Sequence, residues 1–143
     1  MALVGASERP GSLGRITYEN LLAGGFTGKL YAVNPNHRTL FGKPVYATLA
    51  DIREPVELAV IATPSLAVPR VIAQGAAVRL KAAVIMSSPP MDDPRLARRW
   101  TREVLAAARK NGVRILGVTA LGVIRTDIGL DATYCAPGTP ERA

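Results

Sequence analysis

The chain has 143 residues, 48% of them hydrophobic and 20% charged, which fits one globular domain able to bury about two-thirds of its unfolded surface. A single cysteine, Cys135, excludes an internal disulfide framework and any cysteine-cluster metal site, and no apolar run reaches the ~20 residues of a membrane span or the pattern of a secretory signal, so a cytoplasmic location is expected. The net charge of +7 raises the question of nucleic acid, but aromatics are only 5% and no recognition-helix or RNA-module motif accompanies the charge; a polyanionic small ligand suits it better.

In chain order, residues 2–4 are an apolar strand running into a loop with Gly5, Gly11 and Gly14. A strand, a glycine-rich loop and a helix opening near Leu13 form the unit with which α/β folds hold phosphate: backbone N–H groups and the helix N-terminus face the anion, and glycine lets the backbone approach. The spacing is neither the dinucleotide G-x-G-x-x-G, which needs glycines at 5, 7 and 10, nor the Walker pattern, which needs a lysine. Only the closing Gly11-x-x-Gly14 is present, after a longer loop containing Ser7 and Ser12.

A helix is expected over 15–24, with Ile16, Leu21 and Leu22 buried and Gly24-Gly25 ending it. Residues 29–33 form a second strand, stopped by Asn34-Pro35. A turn-rich excursion follows over 36–44, then an extended piece at Val45-Tyr46 and a capped helical turn at 48–51. Residues 57–62 and 81–86 are apolar without alternation, the pattern of parallel strands buried on both faces. Between them Val68, Val71 and Ile72 fall at helical spacing, with Ser65 as N-cap. After the loop at 87–93, Asp93 caps a helix that starts at Pro94 and places Leu96, Trp100, Val104 and Ala108 on its core face. Residues 113–117 are the fifth strand. Beyond them only 130–135 reads as a further short strand, and 136–143 reads as a tail or the start of a linker after a domain spanning 1–135.

Five strands alternating with helices predict an α/β fold with one doubly wound parallel sheet, and the order 3-2-1-4-5 is expected. The ligand then lies beyond the carboxyl ends of the strands, where the loops 5–14, 34–38, 63–65 and 87–93 meet. Dinucleotide folds place a carboxylate at the end of strand 2 to hold the ribose hydroxyls. Here Asn34-Pro35 precede His37 and Arg38, an acid-free end that suits an extra phosphate, as in NADP or coenzyme A.

These segments resemble a family. Val4-Gly-Ala-Ser-Glu-Arg-Pro-Gly-Ser-Leu-Gly14, Val33-Asn-Pro-Asn-His37, Leu58-Ala-Val-Ile-Ala-Thr-Pro64 and Leu121-Gly-Val-Ile124 are similar, in that order, to the Rossmann-like CoA-binding domain of NDP-forming acyl-CoA synthetases. Similar domains occur in the succinyl-CoA synthetase alpha subunit, in small stand-alone CoA-binding proteins and at the N-terminus of bacterial GNAT-type protein acetyltransferases. The last group is the nearest match on Gly122-Val-Ile-Arg125 and Gly129-Leu-Asp-Ala-Thr133.

The resemblance implies a module that binds coenzyme A or an acyl-CoA, acetyl-CoA foremost, within a larger polypeptide, beside a partner subunit, in an oligomer, or alone as a sensor. It implies that Gly5, Ala6, Ser7, Gly11, Ser12 and Gly14 cradle the nucleotide phosphates. Asn34 and Pro35 would flank the adenosine, with His37 or Arg38 near its phosphate; Thr63 and Pro64 would line the crevice, and Met86 and Ser87 would border the pantetheine path. Two loops depart from the family pattern. Gly117-Val-Thr-Ala120 lacks the usual Pro-Asn-Cys, and Ser87-Ser-Pro-Pro-Met91 replaces a glycine-rich turn. Both departures fall at the thiol end of the ligand and spare the nucleotide end. The residues themselves carry no catalytic constellation: His37 is the only histidine, Cys135 reads as a small hydrophobe, and Asp92-Asp93 read as a helix cap. An NADP-binding oxidoreductase domain is the alternative.

Overall fold

The computed structural model describes residues 1–135, so the expected tail at 136–143 lies outside the described residues. A five-stranded parallel sheet forms the centre, built from β1 (Ala2–Val4), β2 (Tyr31–Val33), β5 (Leu58–Ile61), β6 (Ala82–Ile85) and β7 (Arg114–Leu116). The intervening β3 (Thr39–Leu40) and β4 (Lys43–Pro44) pair as a small antiparallel hairpin in the excursion after β2. Helices α1 (Leu13–Ala23), α2 (Val68–Gln74) and α3 (Pro94–Asn111) connect the parallel strands. The α/β, doubly wound, Rossmann-like class therefore holds.

The strand order does not. It is β2-β1-β5-β6-β7, so the third long strand lies beside the first rather than outside the second. The register Val4↔Ile61 aligns the carboxyl ends of β1 and β5, and Val4↔Val33 aligns those of β1 and β2. The physical reason lies in residues 34–57. That stretch contains a hairpin and a one-turn 3-10 helix, with no helix long enough to cover a strand placed outside β2. It turns back instead, and β5, whose Ala59, Val60 and Ile61 are fully buried, takes the middle of the sheet. The winding reverses between β1 and β5, which moves the ligand-binding switch point to that junction.

The two faces of the sheet bury alternate residues, as the twofold strand period requires. Ala2, Val4, Ala59, Ile61, Ala83 and Ile85 face α2 and α3, meeting Val68, Ile72, Trp100 and Val104. Leu3, Val60 and Val84 face the other way, onto Tyr18 and Leu21 of α1 and onto Leu130 and Ala132. The last two belong to β9 (Leu130–Thr133), which pairs with β8 (Gly122–Arg125) in an antiparallel hairpin covering α1. Only β9 is legible in the sequence. β8 exposes half of its residues and shows no apolar run.

Local details correct several expectations. On α1, Leu22 is exposed and Ile16 half-buried, while Thr17, Tyr18 and Asn20 take the buried positions because α1 also packs on the hairpin. The Asn20 amide donates to the carbonyls of Thr133 (2.9 Å) and Cys135 (3.0 Å), mooring the hairpin to the helix. Leu96 is exposed, whereas Trp100, Val104 and Ala108 are buried as expected. Ser65 is not an N-cap. It starts a 3-10 turn, and its carbonyl accepts from Trp100 Nε1 at 2.5 Å. Asp93 caps α3 by accepting from the Arg95 amide at 2.8 Å, and Thr48 and Asp51 form a capping box around their short turn.

Candidate functional site

The first loop is fixed by two glycines. Gly5 has φ +94°, donates to the Val33 carbonyl at 2.8 Å, and would put a Cβ 2.6 Å from the Ala62 carbonyl oxygen. It therefore sits wedged between the ends of β2 and β5, where no side chain fits. Gly14 is buried in the first turn of α1, and a Cβ there would fall 1.9 Å from the Gly5 carbonyl oxygen. The helix start thus rests directly on the loop backbone, close enough for its free N-terminal amides to reach a ligand at the strand ends.

The remaining loop residues divide into those held by the loop itself and those open to solvent. Ser7 Oγ accepts from the Arg9 amide (3.0 Å). Ser12 Oγ donates to the Arg9 carbonyl (2.8 Å) and accepts from the Arg15 amide (3.2 Å), capping α1. Both hydroxyls shape the loop. Ala6 is fully buried, and Gly11, at φ +72°, has open space on its side-chain side.

A cleft of about 270 Å³ opens beyond the carboxyl ends of β1, β2 and β5 and is walled on one side by α2. Val4 and Gly5 form its floor with Val33 and Thr63, Asn34 to Asn36 form one rim, and Ala67, Arg70, Val71 and Gln74 form the opposite wall. Among the described residues no aspartate or glutamate lines it, and Arg70 is the one charged side chain that does. The rim is pinned to the first loop. Asn34 Nδ2 donates to the Ala6 carbonyl (2.8 Å), and Asn34 Oδ1 accepts from the Asn36 amide (2.9 Å). Thr63 contributes a buried Oγ1 with no hydrogen-bond partner, a group whose desolvation is uncompensated until something in the cleft pairs with it.

The expected site residues are distributed unevenly around this cleft. Gly5, Asn34, Pro35, Thr63 and Pro64 line it. His37 and Arg38 are exposed and lie outside its wall, in the turn leading to β3. Met86 is 3% exposed, packed in the core with its sulfur accepting from Thr17 Oγ1 (3.6 Å). Ser87 is also buried, and its Oγ donates to the Thr63 carbonyl at 2.6 Å, supporting the cleft floor from behind. Arg70 and Gln74 were not singled out by the sequence. Their signal is positional: they stand four residues apart, one helical turn, and so share a face of α2 that lines the cleft.

The two loops that depart from the family pattern meet each other. The Thr119 amide donates to the Ser87 carbonyl (3.2 Å), and the Thr119 hydroxyl donates to Ser88 Oγ (3.2 Å). Thr119 has φ +56°, an uncommon conformation for a β-branched residue, held by these contacts and by the Ala120 amide bonding to the Ile85 carbonyl (2.9 Å).

Electrostatically the two ends of the sheet differ. Glu54, hydrogen-bonded by Lys29, and Glu57, hydrogen-bonded by Lys81, are both held below the ordinary carboxylate range. These groups precede their strands and so lie at the amino edge, opposite the cleft. Among the described residues no group of three or more His, Cys, Asp or Glu side chains gathers as metal ligands would. No described helix is long and apolar enough to cross a membrane. Among the described residues no aspartate, glutamate, histidine or cysteine lines the cleft.

A family model described as a CoA binding domain matches residues 1–126. ADP-forming acetate–CoA ligase II of Archaeoglobus fulgidus is 37% identical over 134 residues, covering 94% of this chain and 20% of that protein. The alpha subunit of ADP-forming acetate–CoA ligase I of Pyrococcus furiosus is 33% identical over 138 residues, covering 94% of this chain and 30% of its own length. Among solved structures, dinucleotide-forming acetyl-coenzyme A synthetase 1 of Ca. Korarchaeum cryptofilum, in complex with phosphate and ADP, aligns with a TM-score of 0.84 at 32% identity, over 93% of this chain and 29% of that one. The chain thus spans between a fifth and a third of the length of these relatives.

Proposed function

The chain belongs to the CoA-binding domain family, and from that membership we propose that it binds coenzyme A or an acyl-CoA in the cleft between β1, β2, β5 and α2. The observation that carries the reading is the cleft's charge pattern at the switch point: one arginine, three carboxamides, two threonine hydroxyls and no carboxylate. Such a lining suits an adenosine bearing more phosphate than a plain dinucleotide.

In this reading the loop from Gly5 to Gly14 meets the pyrophosphate with backbone amides and the start of α1. Asn34 and Pro35 flank the adenosine, and Thr63 and Pro64 face the ribose from β5. Ser87 acts from behind, through the Thr63 carbonyl. The pantetheine arm leaves toward the loops at 87–91 and 117–120, whose mutual bonding gives that exit a shape of its own. Acetyl-CoA is the acyl form that the acetate–CoA ligase relatives suggest.

Among the described residues no histidine, cysteine or carboxylate lines the cleft, and in this reading thioester chemistry comes from further domains or a partner subunit, in a cytoplasmic ADP-forming acyl-CoA ligase. The acetyltransferase setting rests on the closing segment alone. The NADP reading draws on the same acid-free strand end and on nothing further in the fold.

Native mass spectrometry of the freshly purified protein tests the proposal. A bound mass corresponding to CoA or a short acyl-CoA, lost on mild activation, is expected. A nicotinamide dinucleotide mass in its place would replace the proposal.

A further inference from the structure

Within the reading of the cleft as a CoA site, one side chain stands out by its charge and its lack of partners. Arg70 is the one charged residue lining the cleft, and its guanidinium has no hydrogen-bond or ion-pair partner among the described residues. Two other arginines lie close to the phosphate loop: Arg9, within it, is exposed and does not line the cleft, and Arg15 pairs with Glu19 (2.8 Å) and donates to the Glu8 carbonyl (2.6 Å). His37 and Arg38, the cations that the sequence places at the end of the second strand, lie outside the wall.

Arg70 lines the same cleft as Asn34–Asn36, to which the glycine-rich loop contributes Gly5. The pyrophosphate is served by the loop backbone, so the arginine is left for the second anion of the ligand. We propose that Arg70 is the specificity residue that reads the ribose 3′-phosphate and distinguishes CoA from its dephospho form. A guanidinium supplies the paired donors that a phosphate monoester accepts, and among the described residues no carboxylate lines the cleft to compete. Gln74, one turn further along α2, and Asn36 opposite add neutral donors on either side. The position differs from the strand-end placement because the cleft at the ends of β1 and β2 is also lined by α2.

Titration calorimetry of wild type, Arg70→Gln, Arg70→Lys and Arg38→Gln, each with CoA and with 3′-dephospho-CoA, tests the assignment. Wild type is expected to bind CoA about ten- to hundred-fold more tightly than dephospho-CoA, the range for a charge-assisted hydrogen-bonded pair. Arg70→Gln should bind both ligands equally, near the wild-type value for dephospho-CoA. Arg70→Lys should keep part of the preference, and Arg38→Gln all of it. Because Arg70 is exposed, its variants should melt with the wild type. A CoA preference that survives in Arg70→Gln, or that collapses in Arg38→Gln, overturns the assignment. Equal wild-type affinity for both ligands does the same while leaving the CoA reading standing. Binding of neither ligand by wild type would overturn the CoA reading and the assignment together.

Discussion

Asn34 Nδ2 donates to the Ala6 carbonyl at 2.8 Å, joining the turn after β2 to the loop after β1 across the mouth of the cleft. The same side chain accepts from the Asn36 amide, so one residue both shapes its own turn and ties it to the first loop. Asn34→Ala removes both bonds and is expected to cost about 1–3 kcal/mol of stability. Asn34→Asp keeps the acceptor, turns the donor into a charge facing the Ala6 carbonyl, and places an anion beside the proposed phosphate path. It should lower CoA affinity more than it lowers the melting temperature. Calorimetry and thermal melts of the two variants side by side check both statements.

Gly14 and Gly11 make a matched pair. A Cβ at Gly14 would meet the Gly5 carbonyl oxygen at 1.9 Å, so Gly14→Ala must push α1 off the loop, with a cost of about 1–3 kcal/mol or more and loss of ligand binding. At Gly11 a Cβ meets nothing within 4 Å, and Gly11→Ala carries only the left-handed backbone strain, about 1–2 kcal/mol. Urea unfolding should rank Gly14→Ala as the more damaging change.

Thr63→Val separates ligand binding from stability. The threonine hydroxyl is buried and unpartnered, so replacing it with a methyl should leave the free protein as stable or make it about 1 kcal/mol more stable. If the hydroxyl pairs with ligand, CoA affinity should fall about ten-fold in the same variant. Unchanged affinity would remove Thr63 from the ligand contacts.

Acid sensitivity should be shallow. Glu54 and Glu57 are held below their ordinary value of 4.5 by hydrogen bonds from Lys29 and Lys81, and both carboxylates are fully exposed. A lowered carboxyl stabilises the fold above its unfolded value, and that contribution is lost as pH falls through the folded one. Melting temperature should therefore decline below about pH 4.5, and less steeply at high salt, where exposed pairs are screened. Glu57→Gln should remove part of the decline.

The parallel sheet was legible because Leu58–Ile61 and Ala82–Ile85 are apolar throughout, the pattern of strands buried on both faces. Their order was not, since right-handed crossovers allow either arrangement and only the missing helix between Val33 and Leu58 argues for the observed one. The first loop was read correctly as a strand-to-helix turn, but not the use of Ser7 and Ser12 within it, because local side-chain bonds depend on the turn's geometry. The resemblance puts Met86 beside the pantetheine path, and the fold packs it in the core, where it meets Thr17 of α1, 69 residues away in the chain, a contact that no local pattern reveals. Arg70 was missed for the complementary reason: a cation on a short amphipathic helix is ordinary until the fold shows what it faces.

The most direct test is titration calorimetry of the purified domain with CoA, repeated with NADPH as competitor. Saturable one-to-one CoA binding, undisturbed by NADPH and accompanied by about 2.7 kcal/mol of added stability at ~100 times the dissociation constant, is the expected result. No heat and no thermal shift with CoA or acetyl-CoA, together with tight NADPH binding, would contradict the assignment of this cleft to coenzyme A.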